Sequence, residues 1–126
     1  MINDILVKNI TDMIDAKKQK ILWSNSDPTE SIAAGDQAIL NSSDYDYLIW
    51  IYCYNTNSAN TSIHKSSVCL KGNSVMMNII GYSTGAEMRR VADYINNTTY
   101  AFRDAYNGAE IGNSYCIPLF VIGGKL

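Results

Sequence analysis

The run from Tyr45 to Tyr54 constrains the fold more than any other segment of the chain. It is dense in β-branched and aromatic residues, the types that are enriched in β-strands. Polar, turn-forming segments bound it at residues 41–44 and 55–58. Apolar side chains fall at both odd and even positions, as in a strand that is covered on both faces. The run therefore predicts a central strand.

Seven other segments carry similar strand signals, with turn residues such as Lys71-Gly72-Asn73 and Asn107-Gly108 between them. Short strands at intervals of roughly 8–12 residues are typical of antiparallel sandwiches and barrels. We therefore expect an all-β chain, an antiparallel β-sandwich that is jelly-roll-like and has about eight strands. The predicted strands cover residues 20–23, 31–40, 45–54, 61–71, 74–82, 86–95, 98–106 and 114–122.

Three of these segments have details that the structure can test. Residues 85–95 include tolerable helix formers, so a helix is the alternative there, although we favour a strand. Pro118 lacks a backbone N–H, which predicts an edge strand or a bulge around it. Alternation along 98–106 predicts one buried face and one exposed face. The buried set is Tyr100, Phe102 and Tyr106, and the exposed set is Thr99, Arg103 and Ala105.

The first twenty residues follow a helical pattern instead. Leu6, Ile10 and Met13 are spaced by four and then three residues, like the apolar seam of a coiled coil. Lysines at the end of the segment suit the negative end of a helix dipole. We predict an N-terminal helix over about 2–18, within a region 1–20 that precedes a domain at 21–126.

Such a short helix is marginal in water, so its apolar stripe needs a partner. The stripe either packs against its own domain or forms a short parallel bundle with other copies of the chain. The seam residues Leu6, Ile10 and Met13 are candidate oligomerisation residues in the second case.

Length and charge exclude several classes of function. A chain of 126 residues is one domain's worth, and its 47% hydrophobic content supports a real core. A formal net charge of −2 offers no basic stripe for a nucleic acid. No stretch approaches the ~20 apolar residues of a membrane span, and the acidic start of the chain lacks the positive charge of a signal peptide. We expect no nucleic-acid partner, no membrane insertion and synthesis in a reducing cytoplasm.

The sequence contains no recognisable catalytic or metal-binding motif. Cys53, Cys69 and Cys116 are odd in number and widely spaced, so they are best interpreted as buried hydrophobes. The single histidine, His64, sits in an alternating segment and is expected to point outward from a strand. No nucleophile elbow, HExxH pair or phosphate-binding glycine loop is present. We therefore expect no enzymatic activity, no metal and no cofactor.

An enzyme acting on bacterial surface polysaccharide remains an alternative, because two carboxylates facing one cleft would be enough. Whether any pair converges depends on the fold. The candidate carboxylates are Asp44, Asp46, Glu87, Asp93, Asp104 and Glu110.

The densest charge includes Arg89, Arg90 and Arg103, which we take as possible surface or interface contacts. The simpler interpretation is a set of cross-strand ion pairs with nearby carboxylates on an exposed surface. The alternative is a subunit seam or a ligand contact, where arginine is enriched. Nine tyrosines in a chain rich in Asn and Ser also match the composition of binding surfaces, including those that stack on sugars.

Five segments carry a recognisable order of motifs, from Leu22-Trp23 and Pro28-Thr29 through Ser43-Asp44-Tyr45 to Ile117-Pro118-Leu119. This order resembles a small β-sandwich domain common in phages and prophages of Gram-positive gut bacteria. That family opens with the pattern "LW-x-N-x-x-P-T-x-x-F-A", continues with a strand entered through an aspartate and a tyrosine, and ends with "IPLKIYG". Two departures are Ile32, where the family usually has phenylalanine, and Phe120, where lysine is common. The matching segments here are residues 21–29, 32–34, 43–52, 89–90 and 117–123.

The resemblance implies a virion structural protein rather than an enzyme, because such domains occur in tail fibres, baseplates and capsid fibres as trimeric β-sandwiches. It implies a homotrimer whose N-terminal helix sets the register and connects to other virion proteins, and whose head contacts the host surface, including a host glycan. The virion would be its location, after synthesis in the bacterial host cytoplasm. The alternatives are a capsid-decorating head fibre and a monomeric carbohydrate-binding module.

Overall fold

The computed structural model describes residues 4–5, 19–58, 64–81, 85–109 and 111–126. The eight predicted strands are all present, with boundaries that differ by a few residues from those expected. Their bounds are β1 (Lys20–Ser24), β2 (Gly35–Ala38), β3 (Tyr47–Asn55), β4 (His64–Leu70), β5 (Val75–Ile80), β6 (Glu87–Asn96), β7 (Thr99–Phe102) and β8 (Tyr115–Gly124).

The strands form two antiparallel sheets of four, which confirms the β-sandwich. Sheet A has the order β1-β8-β3-β4 and sheet B the order β2-β7-β6-β5. The segment for which a helix was the alternative is strand β6, paired on both sides. Strand β3 lies between β8 and β4, so the prediction of a central strand is also confirmed.

The core lies between the inner faces of the two sheets. Trp50, on β3 of sheet A, is fully buried against two rings of sheet B. Its ring centroid lies 5.0 Å from that of Tyr100 and 6.0 Å from that of Phe102, both in edge-to-face geometry. Aromatic pairs at these distances stabilise a core beyond the area that they bury. This cluster packs the two sheets against each other.

Pro118 causes a bulge but does not mark an edge. Strand β8 runs between β1 and β3, so the edge-strand alternative is wrong. Ile51 pairs with Phe120, whereas the next residue, Tyr52, pairs with Pro118, which leaves Leu119 as an extra residue on β8. A bulge of this kind accommodates the missing N–H of proline inside a sheet.

The predicted alternation of 98–106 is correct for the strand itself and wrong beyond it. Tyr100 and Phe102 are buried as expected, but Ala105 is buried and Tyr106 is 44% exposed. The strand ends at Phe102, and Tyr106 forms an isolated antiparallel bridge with Arg89 of β6. Because the intervening residues leave the ladder, the period of two no longer determines the faces.

The predicted N-terminal helix lies almost entirely outside the described residues, and so do its seam residues Leu6, Ile10 and Met13. Of its early positions, Asp4 and Ile5 have helical backbone, and Ile5 is 60% exposed. Strand β1 begins at Lys20, as predicted for the first strand, which is one residue before the expected domain boundary at residue 21. Within the described ranges, no helix has the length and hydropathy needed to cross a membrane.

Candidate functional site

The outer faces of the two sheets differ in chemistry. On sheet B, the residues that point away from the core include four charged side chains. On sheet A, none of the residues that the strand pairing places on the outer face is an aspartate, glutamate, lysine or arginine. The charged residues of the sheet B face are Asp36, Glu87, Arg89 and Asp93.

A continuous aliphatic row crosses the outer face of sheet A. Ile21, Ile122, Ile49 and Val68 are in register on the four strands. Val68 is 62% exposed and Ile21 is 57% exposed, although both are apolar. We call this surface the apolar face of sheet A. With flanking residues, it comprises Ile21, Ile49, Ile51, Val68, Leu70, Phe120 and Ile122.

The chain enters strand β1 on the same side as the apolar face. The Gln19 side chain donates a hydrogen bond to the Tyr47 hydroxyl, with Nε2 and Oη 3.0 Å apart. Tyr47 belongs to the outer face of sheet A, because its neighbour Leu48 is fully buried in the core. Gln19 therefore lies at the edge of the apolar face, directly after residues 1–18 in the sequence.

A groove on sheet B brings together all three predicted arginines, of which Arg89 and Arg103 are exposed and Arg90 is buried. It has a volume of about 520 Å³, within the usual range of ligand pockets. We call it the arginine groove. Four apolar residues and five polar or charged residues line it: Ala34, Met76, Val91, Phe102, Arg89, Arg90, Arg103, Asp104 and Tyr106.

Arg89 and Arg103 are exposed and each pairs with one carboxylate. Arg89 Nε lies 2.8 Å from a Glu87 oxygen, and Arg103 Nε lies 2.5 Å from an Asp93 oxygen. The terminal nitrogens of both guanidinium groups make no hydrogen bond to any residue that the structure describes. Exposed pairs of this kind contribute little stability, so these donors remain available to a ligand.

Tyr106, Asp104 and Met76 also line the arginine groove. Asp104 was among the candidate carboxylates, whereas Tyr106 and Met76 were not predicted as site residues. The bridge between Tyr106 and Arg89 places the tyrosine beside the arginine, with backbone hydrogen bonds of 2.8 Å in both directions. Asp104 accepts a hydrogen bond from the Asn113 side chain at 2.8 Å. The sequence placed Tyr106 on the buried face of a longer strand, so its position beside Arg89 was not predicted.

Arg90 is not a surface contact, contrary to the prediction. It is 1% exposed, and its guanidinium points into the molecule between sheet B and β8. Burial lowers the pKa of Arg90 below its usual value, and the nearby Asp104 carboxylate opposes this effect. Its nitrogens donate to backbone carbonyls of Ile32, Arg103, Asn113, Tyr115 and Cys116. Arg90 is thus a structural residue, because backbone oxygens accept hydrogen bonds from its buried guanidinium.

The three cysteines are free and buried, as expected from their spacing. Burial raises the pKa of the Cys116 thiol from 9.0 to about 12, although Arg90 acts in the opposite direction. Burial also raises the pKa of Cys69. Protonated, inaccessible thiols are poor nucleophiles, so neither cysteine is suited to catalysis.

These raised pKa values predict a loss of stability at alkaline pH. The folded state holds the thiol protons more tightly than the unfolded state, so the stabilisation is complete below pH 9.0 and is lost as pH rises toward about 12. We expect the free energy of unfolding, measured in urea, to fall between pH 9 and pH 11, by up to about 1.4 kcal/mol for each pH unit above the unfolded pKa of Cys116. Cys116→Ala should show a shallower fall. An equal slope in both proteins would contradict the assignment to Cys116.

The candidate carboxylates lie in different parts of the fold. Asp44 and Asp46 precede β3 in sheet A, whereas Glu87 and Asp93 lie on β6 of sheet B. Glu110 falls outside the described residues. His64 begins β4 and is exposed, as expected. Within the described part of the chain, no group of three or more His, Cys, Asp or Glu side chains is placed to hold a metal ion.

Comparison with family models, with curated proteins and with solved structures finds no match to this chain.

Proposed function

We propose that this protein is a non-enzymatic structural component of a phage virion, a homotrimeric fibre or appendage part that contacts the host surface. The observation that carries the proposal is the apolar face of sheet A. Contiguous exposed apolar patches of this kind mark interaction sites on soluble proteins. The sequence resemblance supports the virion location.

A second copy of the chain is the occupant that best fits the apolar face. A face without charged residues pairs with another such face without like-charge repulsion or desolvated ions. Ile49 and Ile51 remain only half-buried in the single chain, although the pattern of their strand is that of a segment covered on both sides. Assembly of three copies, with sheet A of each turned toward the three-fold axis, covers both residues.

The N-terminal segment fits the same axis. The apolar face spans four strands at ~4.8 Å and about five residues at ~3.4 Å, or roughly 300 Å² in projection. Stable interfaces need about 800 Å² per partner, so the face requires a further contribution. Residues 1–18 join the domain beside this face at Gln19, so that a bundle with Leu6, Ile10 and Met13 inside extends the interface and connects to other virion proteins.

The strand pairing also suits this architecture. Strand β1 pairs with β8, and β2 pairs with β7, so strands from the two halves of the chain pair with each other in both sheets, as they do in a jelly roll. The head is then compact, with its charged sheet B turned away from the axis and toward the host surface.

The oligomeric mass of the full chain tests the assembly. We expect light scattering at micromolar concentration to give three times the 14.0 kDa chain mass. Val68→Lys should reduce the mass to that of smaller species, because it places a charge in the apolar face. Ile80→Lys is the matched control: Ile80 is equally exposed, at 62%, but lies on sheet B. Its mass should remain that of the trimer.

The outcomes separate the possible occupants of the apolar face. Ile10→Lys should also lower the mass, because it disrupts the predicted helical seam. If the wild-type chain is a monomer, or if Ile80→Lys and Val68→Lys have the same effect, the proposed interface is wrong. If Val68→Lys leaves a trimer intact, residues 1–18 rather than sheet A hold the copies together.

Labelling of phage particles tests the location. An antibody raised against the chain, viewed by negative-stain microscopy, should decorate particles released by the strain that carries the gene. Decoration at the tail supports the fibre or baseplate role, and decoration of the capsid supports the head-fibre alternative. Particles without label, with label on the cell envelope instead, would contradict a virion role.

A monomeric carbohydrate-binding module is the second candidate, and the arginine groove favours it. The groove combines exposed polar side chains with an apolar lining, as ligand sites commonly do. A monomer in solution that retains sugar binding would support this alternative over the trimeric virion part.

A further inference from the structure

The arginine groove offers hydrogen-bond donors and acceptors in one place. Arg89 and Arg103 both line the groove and engage their carboxylate partners through Nε, so their terminal nitrogens are not used in these ion pairs. Asp104 uses one carboxylate oxygen for Asn113, and its other oxygen has no hydrogen-bond donor among the described residues. A sugar hydroxyl both donates and accepts, so each of these groups can bind one.

The apolar part of the groove suits the carbon face of a sugar ring. Met76 is 53% exposed and Tyr106 is 44% exposed, and both border the groove. Val91 lies beside Met76 in the register of β5 and β6. Apolar and aromatic surface next to oriented polar groups is the usual composition of a small-molecule site.

The charges around the groove balance, and this favours a neutral ligand. Arg89 is paired with Glu87 and Arg103 with Asp93. Asp104 lies within the electrostatic range of the buried Arg90. A polyanion needs an excess of positive charge, whereas a polyhydroxyl ligand needs paired donors and acceptors.

From these observations we infer that the arginine groove binds a neutral saccharide unit, with Arg103 and Asp104 holding its hydroxyls and Tyr106 contacting its ring. The groove lies within a single chain, so binding does not require the trimer. The inference rests on the proposed function only for the source of the sugar, a host surface glycan.

Binding by the full chain to an array of neutral and acidic oligosaccharides tests the inference, followed by titration calorimetry with the neutral hits. We expect Arg103→Ala and Tyr106→Ala each to weaken binding at least tenfold. Lys71→Ala is the matched control for the lost positive charge, because Lys71 is exposed in the turn after β4. That variant should bind like the wild type.

The outcomes distinguish this site from an anion site and from the assembly. Binding confined to acidic glycans, competed by inorganic phosphate and removed by salt, would show an anion site and overturn the inference. Equal losses in Lys71→Ala and Arg103→Ala, or no binding to any glycan, would also overturn it. Val68→Lys should bind the saccharide with unchanged affinity per chain, so loss of the trimer would not contradict the saccharide site. Conversely, a trimer that binds no saccharide would overturn the saccharide site and leave the proposed assembly unaffected.

Discussion

Replacing Arg90 with methionine is expected to cost at least ~4 kcal/mol of unfolding free energy, because each buried group left without a partner costs about 1–3 kcal/mol. Five backbone carbonyls accept from this guanidinium, and they belong to three separate parts of the chain. Methionine fills a similar space but donates no hydrogen bond. Urea unfolding followed by circular dichroism, at equal chain concentrations, measures the loss.

Two further variants locate the effect. Arg90→Lys keeps the charge but has a compact ammonium in place of a planar fork, so we expect a partial loss of stability. Arg89→Met changes the adjacent, exposed arginine and should cost less than ~0.5 kcal/mol. If Arg90→Met were as stable as Arg89→Met, the hydrogen bonds of Arg90 would not be a stabilising element of the fold.

The second large effect is expected at Trp50. Trp50→Ala should destabilise the chain by about 3–5 kcal/mol, the usual cost of removing a large aromatic residue from a core. Its ring is fully buried and packs on Tyr100 and Phe102 of the opposite sheet. The substitution would therefore leave a cavity at the centre of the interface between the two sheets. The same unfolding measurement detects the change.

Trp23→Ala is the matched comparison for Trp50. Trp23 packs edge-to-face on Phe102 with centroids 5.5 Å apart, but it lies on edge strand β1 and is only half-buried. We expect its loss to cost less than half as much. Equal costs for the two tryptophans would show that the centre of the sandwich is not where the structure places it.

The strands were predictable because their signals are local. Turn residues separate short runs of β-forming residues, and these runs determine where the strands lie independently of the rest of the fold. The alternation of β6 also placed Glu87, Arg89 and Asp93 on one face. The same alternation places Arg90 on the other face, but a buried arginine is rare. Its carbonyl partners lie far away in the sequence, so the pattern alone did not reveal them.

The two candidate surfaces depend on long-range pairing. The aliphatic row of Ile21, Ile49, Val68 and Ile122 exists only when four distant strands align. Likewise, Tyr106 reaches the arginine groove because it bridges to Arg89 after the strand has ended. Neither register can be read from the spacing of residues along one segment. The apolar composition of 45–54 predicted coverage of both faces but not the identity of the covering element.

Alternation along β6 separates what the fold requires from what a ligand would contact. The inward residues Met88, Arg90 and Ala92 are buried, whereas the outward residues Arg89 and Val91 form the exposed lining of the arginine groove, which the buried Arg90 also borders. Substitutions at the outward positions therefore leave the packing and the hydrogen bonds of Arg90 unchanged. The surface chemistry of the groove can therefore change at these positions without a compensating change in the core.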